Sequence, residues 1–340
     1  MEGKNRLPEG AEVLSDILDL LSERACWIVL THEKPDGDTI GSAAALAMAG
    51  RRAEKKVLFG GPDAAPVKYE FLCEGLDYRA LPQIPQEATR GDAVIVCVDT
   101  STPERSVPWL LSTSVAAARV NIDHHPDNPL YADLNWVAPQ ASATAEMATE
   151  LLFRSPWGIR PEEADALYTG LVTDNGGFRF SSTTTQSHAC AIRLIEAGAS
   201  PSRVADLLEC ALSANILRLW GRVLSRAETF AEGCAALYWI ALEDFAQTGT
   251  SREDTENLVN FLLRIRGVRL AALCSESEDG VRVSLRSRPP LSARTVAAKF
   301  GGGGHELASG CTIRTGLSEA IAALRREMER YAGTGDSSDR

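Results

Sequence analysis

Residues 26–50 read CWIVLTHEKPDGDTIGSAAALAMAG, an apolar run, a polar loop and a run of small residues in direct succession. The apolar run predicts a strand over 27–31 and the small-residue run a helix over 39–50. The loop between them carries His32, Asp36 and Asp38. That is more chelating capacity than a turn needs. Pro35 blocks helix continuation and Gly37 permits an unusual backbone angle, so Asp36 and Asp38 can sit two apart in an irregular loop.

Outward from this unit, strands and helices alternate. An amphipathic helix is expected over 9–26, strands over 55–60, 93–98 and 118–122, and helices over 142–154 and 161–173. The runs AVIVCVD (93–99) and ARVNID (118–123) are continuous and apolar, as in strands buried on both faces of a parallel sheet. The pattern is α/β, with an N-terminal doubly wound, mainly parallel sheet. From about 185 to 225 the sequence turns helical. Beyond 226, AALYWIAL, VRLAALCSES and VRVSLRSR read as strands, the last two joined by a hairpin around Asp279 and Gly280. Helices at about 252–263, 292–299 and 317–331 are interleaved. The expected domains are a catalytic one at 9–200, a helical linker at 201–225, a smaller α+β domain at 226–332 and a polar tail at 333–340. A cleft between the two domains is expected to hold the site.

Composition narrows the function classes. A formal charge of −11 over 340 residues argues against a protein that coats long nucleic acid, while leaving room for a local basic pocket. Eight cysteines are scattered without any CxxC pair, which removes zinc-ribbon and thioredoxin readings and suits a reducing cytoplasm. No secretory apolar region opens the chain, and no run approaches the roughly 20 residues of a membrane span. The expectation is a cytoplasmic protein without a membrane partner.

Chelating residues recur at other element ends. Strand 93–98 delivers Asp99; strand 118–122 delivers Asp123, His124 and His125; the helix ending LVTDNGGF delivers Asp174. In an open α/β sheet, ligands bind at the carboxyl ends of the strands near a topological switch point, so these groups are expected to meet in one crevice. Taken singly, an Asp-Gly-Asp is an ordinary turn and an adjacent His-His pair ordinary surface decoration. Together they form a pattern. Aspartates 36, 38, 99 and 174 would repel and lose hydration unless cations joined them. Mixed carboxylate and imidazole ligands favour two Mn²⁺, with Mg²⁺ and Co²⁺ compatible, and paired ions about 3.5–4 Å apart are a recurrent device for attacking phosphorus.

With HEKPDGD, VDTS, DHH and VTDNGGF in that order, the chain resembles the DHH phosphoesterase superfamily, and KFGGGGHELASG (299–310) resembles its DHH-associated domain. The similarity spans about 10–330 and is nearest the NrnA-like branch of nanoRNases and pAp phosphatases. It implies one metal on His32, Asp36 and Asp99 and another on Asp38, Asp99, His124 and Asp174, with Asp99 bridging. It also implies that His125 faces the substrate phosphate while Asp123 orients the histidines. Asn175 stands where the family commonly has threonine, which bears on the hydrogen bonding of that loop. The implied chemistry is hydrolysis of a phosphate ester by a hydroxide bridging two metals, with catalysis assigned to Asp99, Asp123, His124 and His125.

The second domain reads as the substrate reader. Between Arg264 and Lys299 there are eight Lys/Arg against three acidic residues. Arg286 and Arg288 alternate along their strand and so share a side, and a forked guanidinium suits a terminal phosphate. Gly302, Gly303 and Gly304, within the run 301–304, offer backbone N–H groups to a phosphate beside His305. The resemblance assigns this segment to nucleotide binding too.

The expected substrates, implied by the resemblance, are RNAs of two to five nucleotides and 3′-phosphoadenosine 5′-phosphate (pAp). Alternatives are a cyclic- or linear-dinucleotide phosphodiesterase, a RecJ-like exonuclease, a family-II pyrophosphatase and a non-catalytic nucleotide sensor. A homodimer is compatible with the reading.

Overall fold

The computed structural model describes residues 11–209, 213–255 and 258–334; the expected tail from 335 onward, and residues 9 and 10 of the expected first helix, lie outside them. The chain divides into two compact units, 1–211 and 212–340. The residues expected as a linker, 201–225, hold a helix of the first unit and another of the second: α6 (Pro201–Glu209) and α7 (Ala214–Leu224).

The first unit is built on β1 (Cys26–Leu30), β2 (Lys56–Gly61), β3 (Arg79–Ala80), β4 (Ala93–Val98), β5 (Ala118–Asp123) and β6 (Leu134–Val137), all parallel, in the order β3-β2-β1-β4-β5-β6. The order reverses between β1 and β4, and that is the switch point. Side chains alternate across the strands, so each strand serves two cores. Trp27, Val29, Val96 and Ile122 pack against α1 (Ala11–Glu23), α2 (Gly37–Arg52), α3 (Thr144–Arg154), α4 (Pro161–Asp174) and α5 (Thr185–Glu196). Ile28, Leu30, Ile95 and Cys97 meet Val107, Trp109 and Leu110 on the other face, where short 3-10 turns and irregular chain replace α-helices. The small residues of α2 have a steric reason: a Cβ on Gly41 would stand 2.3 Å from the Ala166 carbonyl oxygen of α4.

The second unit is a mixed sheet in the order β11-β12-β10-β9-β8-β7. Its strands are β7 (Glu228–Phe230), β8 (Ala235–Ile240), β9 (Leu270–Ser277), β10 (Gly280–Ser287), β11 (Gly303–Gly304) and β12 (Ala308–Ile313). The hairpin expected around Asp279 and Gly280 joins β9 to β10. One sheet face packs on α9 (Ala293–Ala298) and α10 (Leu317–Thr334) through Val283, Leu285, Val296 and Leu324. The other packs on α7 through Leu219 and Val223 and on α8 (Leu242–Thr248) through Phe245. The helix expected at 252–263 is instead 3-10 at 253–255 and 258–264. The Tyr238 hydroxyl donates to the Leu258 carbonyl, an acceptor that an α-helix would use for its own ladder. Among the described residues no helix is long and apolar enough to cross a membrane.

Candidate active site

The hollow lies where β1, β4 and β5 end. Leaving β1, the chain places His32 in a buried position, and Asp36 then caps α2, its Oδ1 accepting from the N–H groups of Asp38 and Thr39 at 3.1 Å each. Asp38 is one turn-edge further on and fully enclosed. Its oxygens accept from the first N–H groups of α3, Thr144 at 2.7 Å and Ala145 at 2.9 Å. Asp99 follows β4 with φ of +56°, a left-handed conformation that aspartate tolerates better than most residues, and its Oδ1 accepts from the Thr144 hydroxyl at 2.9 Å. One short stretch of α3 thus fixes two of the acidic groups.

The histidines are held from behind. His32 Nδ1 donates to the Glu33 carbonyl at 2.6 Å, leaving Nε2 to face Asp99 at 3.5 Å and Asp36 at 3.8 Å. His124 Nδ1 donates to the Ala141 carbonyl at 3.1 Å, leaving Nε2 3.4 Å from Asp99 and 3.6 Å from Asp174. His125 Nδ1 lies 2.8 Å from Asp123 Oδ1 and 3.7 Å from Asp99. Asp123 therefore orients His125, whereas His124 takes its orientation from a backbone carbonyl; the expectation that Asp123 serves both histidines is corrected. Such outer hydrogen bonds set the tautomer and point a lone pair inward.

The charges in this hollow are unbalanced. Burial, and then Asp99 and Asp174, push the Asp38 carboxyl well above its ordinary range. Burial followed by Asp99 raises Asp36, and burial with Asp99 and Asp36 brings Asp174 up to about 6 against the pull of His124. Asp99 alone is held low: burial opposes ionisation, but the His32 hydrogen bond and the charges of His124, His32 and His125 outweigh it. The hydrogen bond with Asp123 raises His125 to about 8.

Three overlapping groups of donor atoms lie within 4.8 Å of one another: His32 with Asp36 and Asp99; Asp38 with His124 and Asp174; and Asp99 with His124 and His125. Hard carboxylate oxygens mixed with imidazole nitrogens fit divalent cations, which would relieve the crowding that raises these acids. All six expected ligand positions are brought together. Sequence reading missed the Thr144 hydroxyl on Asp99, the Asn128 amide donating to Asp123 Oδ2 at 2.6 Å, and Arg105, whose Nη2 stands 3.4 Å from His32 Nδ1. Asn175 is buried; its Oδ1 accepts from the Phe178 N–H at 2.8 Å and so shapes the glycine loop after Asp174, while its Nδ2 has no partner.

In the second unit, Arg286 lies half-buried on β10 and Arg288, just past the strand, is exposed. Burial lowers the Arg286 pKa, and its Nη1 donates to the Leu285 carbonyl at 2.9 Å. Gly302 has a packing reason to be glycine, since a Cβ there would stand 2.2 Å from the Gly310 carbonyl oxygen. Gly303 faces open space, Gly304 has φ of +133°, and the exposed His305 is tied by its N–H to the Ala308 carbonyl at 2.8 Å.

Comparison with known proteins gives a concordant result. The profile of the DHH family, N-terminal domain, matches residues 27–171, and that of the DHHA1 domain matches 234–334. A Thermus thermophilus protein named bifunctional oligoribonuclease and PAP phosphatase NrnA is 30% identical over 308 residues, covering 89% of this chain and 90% of its own. A Bacillus subtilis protein of the same name is 31% identical over 292 residues, 84% and 88% of the two chains. The crystal structure of an exopolyphosphatase-related protein from Bacteroides fragilis superposes with a TM-score of 0.83 at 25% identity, covering 95% of this chain and 97% of its own.

Proposed function

The chain belongs to the DHH family, and from that premise we propose that it hydrolyses short oligoribonucleotides to mononucleotides and pAp to AMP. The observation that carries the reading is Asp99, whose carboxylate belongs both to the donor group of His32 and Asp36 and to a group with His124 and His125. A residue so placed can be shared by two cations. The names borne by the Thermus and Bacillus relatives support the substrate class.

In this proposal His32, Asp36 and Asp99 hold one cation, and Asp38, Asp99, His124 and Asp174 the other. Two divalent cations, Mn²⁺ by the mixed donor set, would acidify a water and neutralise phosphoryl oxygens there. The chain's own groups do the rest. Thr144 and the N-terminus of α3 keep Asp99 and Asp38 in place. His125, oriented by the hydrogen bond between its Nδ1 and Asp123, is suited to donate to a phosphate oxygen. Arg286, Arg288, the 302–304 backbone and His305 read the end of the substrate. The described cysteines are free, in keeping with a cytoplasmic enzyme.

The test is turnover by the full chain with Mn²⁺ on pAp, linear pApA, RNAs of two to five nucleotides and cyclic di-AMP. Release of mononucleotide from short RNA and of phosphate from pAp is expected. Activity confined to cyclic di-AMP and pApA would replace the reading with a dinucleotide phosphodiesterase, and no release from either pAp or dinucleotide would overturn it.

A further inference from the structure

Along β10, Val281, Val283 and Leu285 are buried toward α9 and α10, and Arg282, Ser284 and Arg286 take the opposite face. The register pairs Arg282 with Thr312, Ser284 with Gly310 and Arg286 with Ala308 of β12, and on the other side pairs Ser284 with Leu273 and Arg286 with Ala271 of β9. Over β9 that face is covered, since Leu273 and Ala271 pack with Leu258, Val259 and Leu262. Over β10 and β12 the cover stops. A cavity of about 830 Å³ opens there, lined by Arg252, Arg282, Ser284, Gly302, Thr312 and Arg314 among others.

Its chemistry has one sign. Three guanidinium groups line it, and among the described residues no acidic side chain does. Ser284 and Thr312 add hydroxyl donors, and Gly302 and Gly310 complete the wall. Converging arginines without a carboxylate match the charge and forked geometry of phosphate oxygens. The cavity adjoins the end-reading segment at Gly302, but its arginines lie further off: Arg282 is four strand residues from Arg286, about 13 Å along β10. That exceeds the rise of one stacked nucleotide, about 3.4 Å.

Resting on the function proposed above, we propose that this cavity is an outer phosphate subsite, which takes an internal phosphodiester of an oligonucleotide whose end is read at Arg286, Arg288 and His305. The consequence is a length preference: an RNA of several nucleotides reaches Arg282 and Arg314, whereas a mononucleotide bisphosphate does not.

The experiment measures binding by the full chain in EDTA, so that no turnover intervenes, using labelled di- and pentaribonucleotides with unlabelled pAp and inorganic phosphate as competitors. The paired substitution Arg282→Ala with Arg314→Ala is expected to weaken pentaribonucleotide binding about tenfold or more and leave pAp unchanged. Its log–log salt slope should be shallower by about 1.4, two phosphate contacts on a single strand. Arg282→Lys with Arg314→Lys should fall between, and all three proteins should melt together because both side chains are exposed. Equal weakening for both ligands, unchanged binding, or no pentaribonucleotide binding by the parent overturns the subsite. So does displacement by inorganic phosphate that is independent of RNA length, which would assign the cavity to a free anion. Turnover by the parent with Mn²⁺ reports separately on the proposed function, so the two can fail independently.

Discussion

Asp99 in the first unit and Asp244 in the second are both buried carboxylates, and they are neutralised in opposite ways. Asp244 accepts from Arg226 through both oxygens, at 2.5 Å and 2.8 Å, and from the Ala241 N–H at 2.9 Å, with Arg222 at 3.5 Å. The Arg226 hydrogen bond accordingly holds its carboxyl below the usual range despite burial. Glu163, also buried, is treated alike by Arg52 at 2.8 Å and 2.9 Å. Around Asp99 the partners are histidines and further carboxylates, and Asp36, Asp38 and Asp174 are all pushed upward. A carboxylate that serves the fold carries its own guanidinium. A cluster left short of positive charge, yet fixed by backbone donors, is organised to receive cations from outside.

The sharpest way to break this contrast is Asp99→Asn. Asparagine keeps the shape and tolerates the left-handed backbone, so the fold should stand. If Asp99 is the shared ligand proposed, kcat/KM on pAp and on short RNA should fall about a thousandfold, on the order of 4 kcal/mol of transition-state stabilisation. Near-parental turnover would show that Asp99 is no shared ligand.

The converse substitution, Asp244→Asn, should cost about 3 kcal/mol of stability in urea unfolding because it strands Arg226 in a partly buried site, and it should leave turnover intact below the transition. The pH dependence has a definite sign. Since the folded pKa of Asp244 lies below the unfolded value of about 3.9, its contribution is complete above that value and is lost as pH falls through the folded pKa. The parent should lose stability there more steeply than the variant. Parallel curves would mean that the pair contributes nothing.

Metal alone sharpens the comparison with a somewhat smaller effect. Mn²⁺ at a hundredfold excess over its Kd should stabilise the EDTA-treated parent by about 2.7 kcal/mol, seen as a rise in melting temperature. Asp244→Asn should keep the full rise and Asp99→Asn should lose most of it. A rise of equal size in both variants would place the binding elsewhere.

The first unit was legible because its chemistry sits at strand exits. His32, Asp36, Asp99 and His124 each follow an apolar run long enough to identify, and a parallel sheet brings such ends together whatever the intervening loops do. What could not be read depends on packing between distant segments. The N–H groups of Thr144 and Ala145 reach Asp38 across more than a hundred residues, and nothing in the helix-start pattern near 144 announces that partner. Strand β6 escaped notice because LNWV is short and embedded in polar sequence. Tyr238 capturing the Leu258 carbonyl is a tertiary event that overrides the helical spacing at 252–263. Asn175 looked like a departure from the family, but its side chain builds the loop behind Asp174 through the Phe178 N–H.

The smallest expected effect belongs to the second unit, where charge is exposed and the surroundings are wet. His305 makes its described hydrogen bonds through its backbone, so His305→Ala removes the imidazole without disturbing the turn. If the imidazole touches the bound end of the substrate, KM for short RNA should rise about tenfold, equivalent to about 1.4 kcal/mol, with kcat nearly unchanged, because the contact is made equally in ground and transition states. A fall in kcat at constant KM would instead move His305 into the chemistry, and the division between an acidic hollow that reacts and a basic face that reads would no longer hold. Unchanged kinetics would leave Arg286 and Arg288 as the readers and His305 as part of the turn alone.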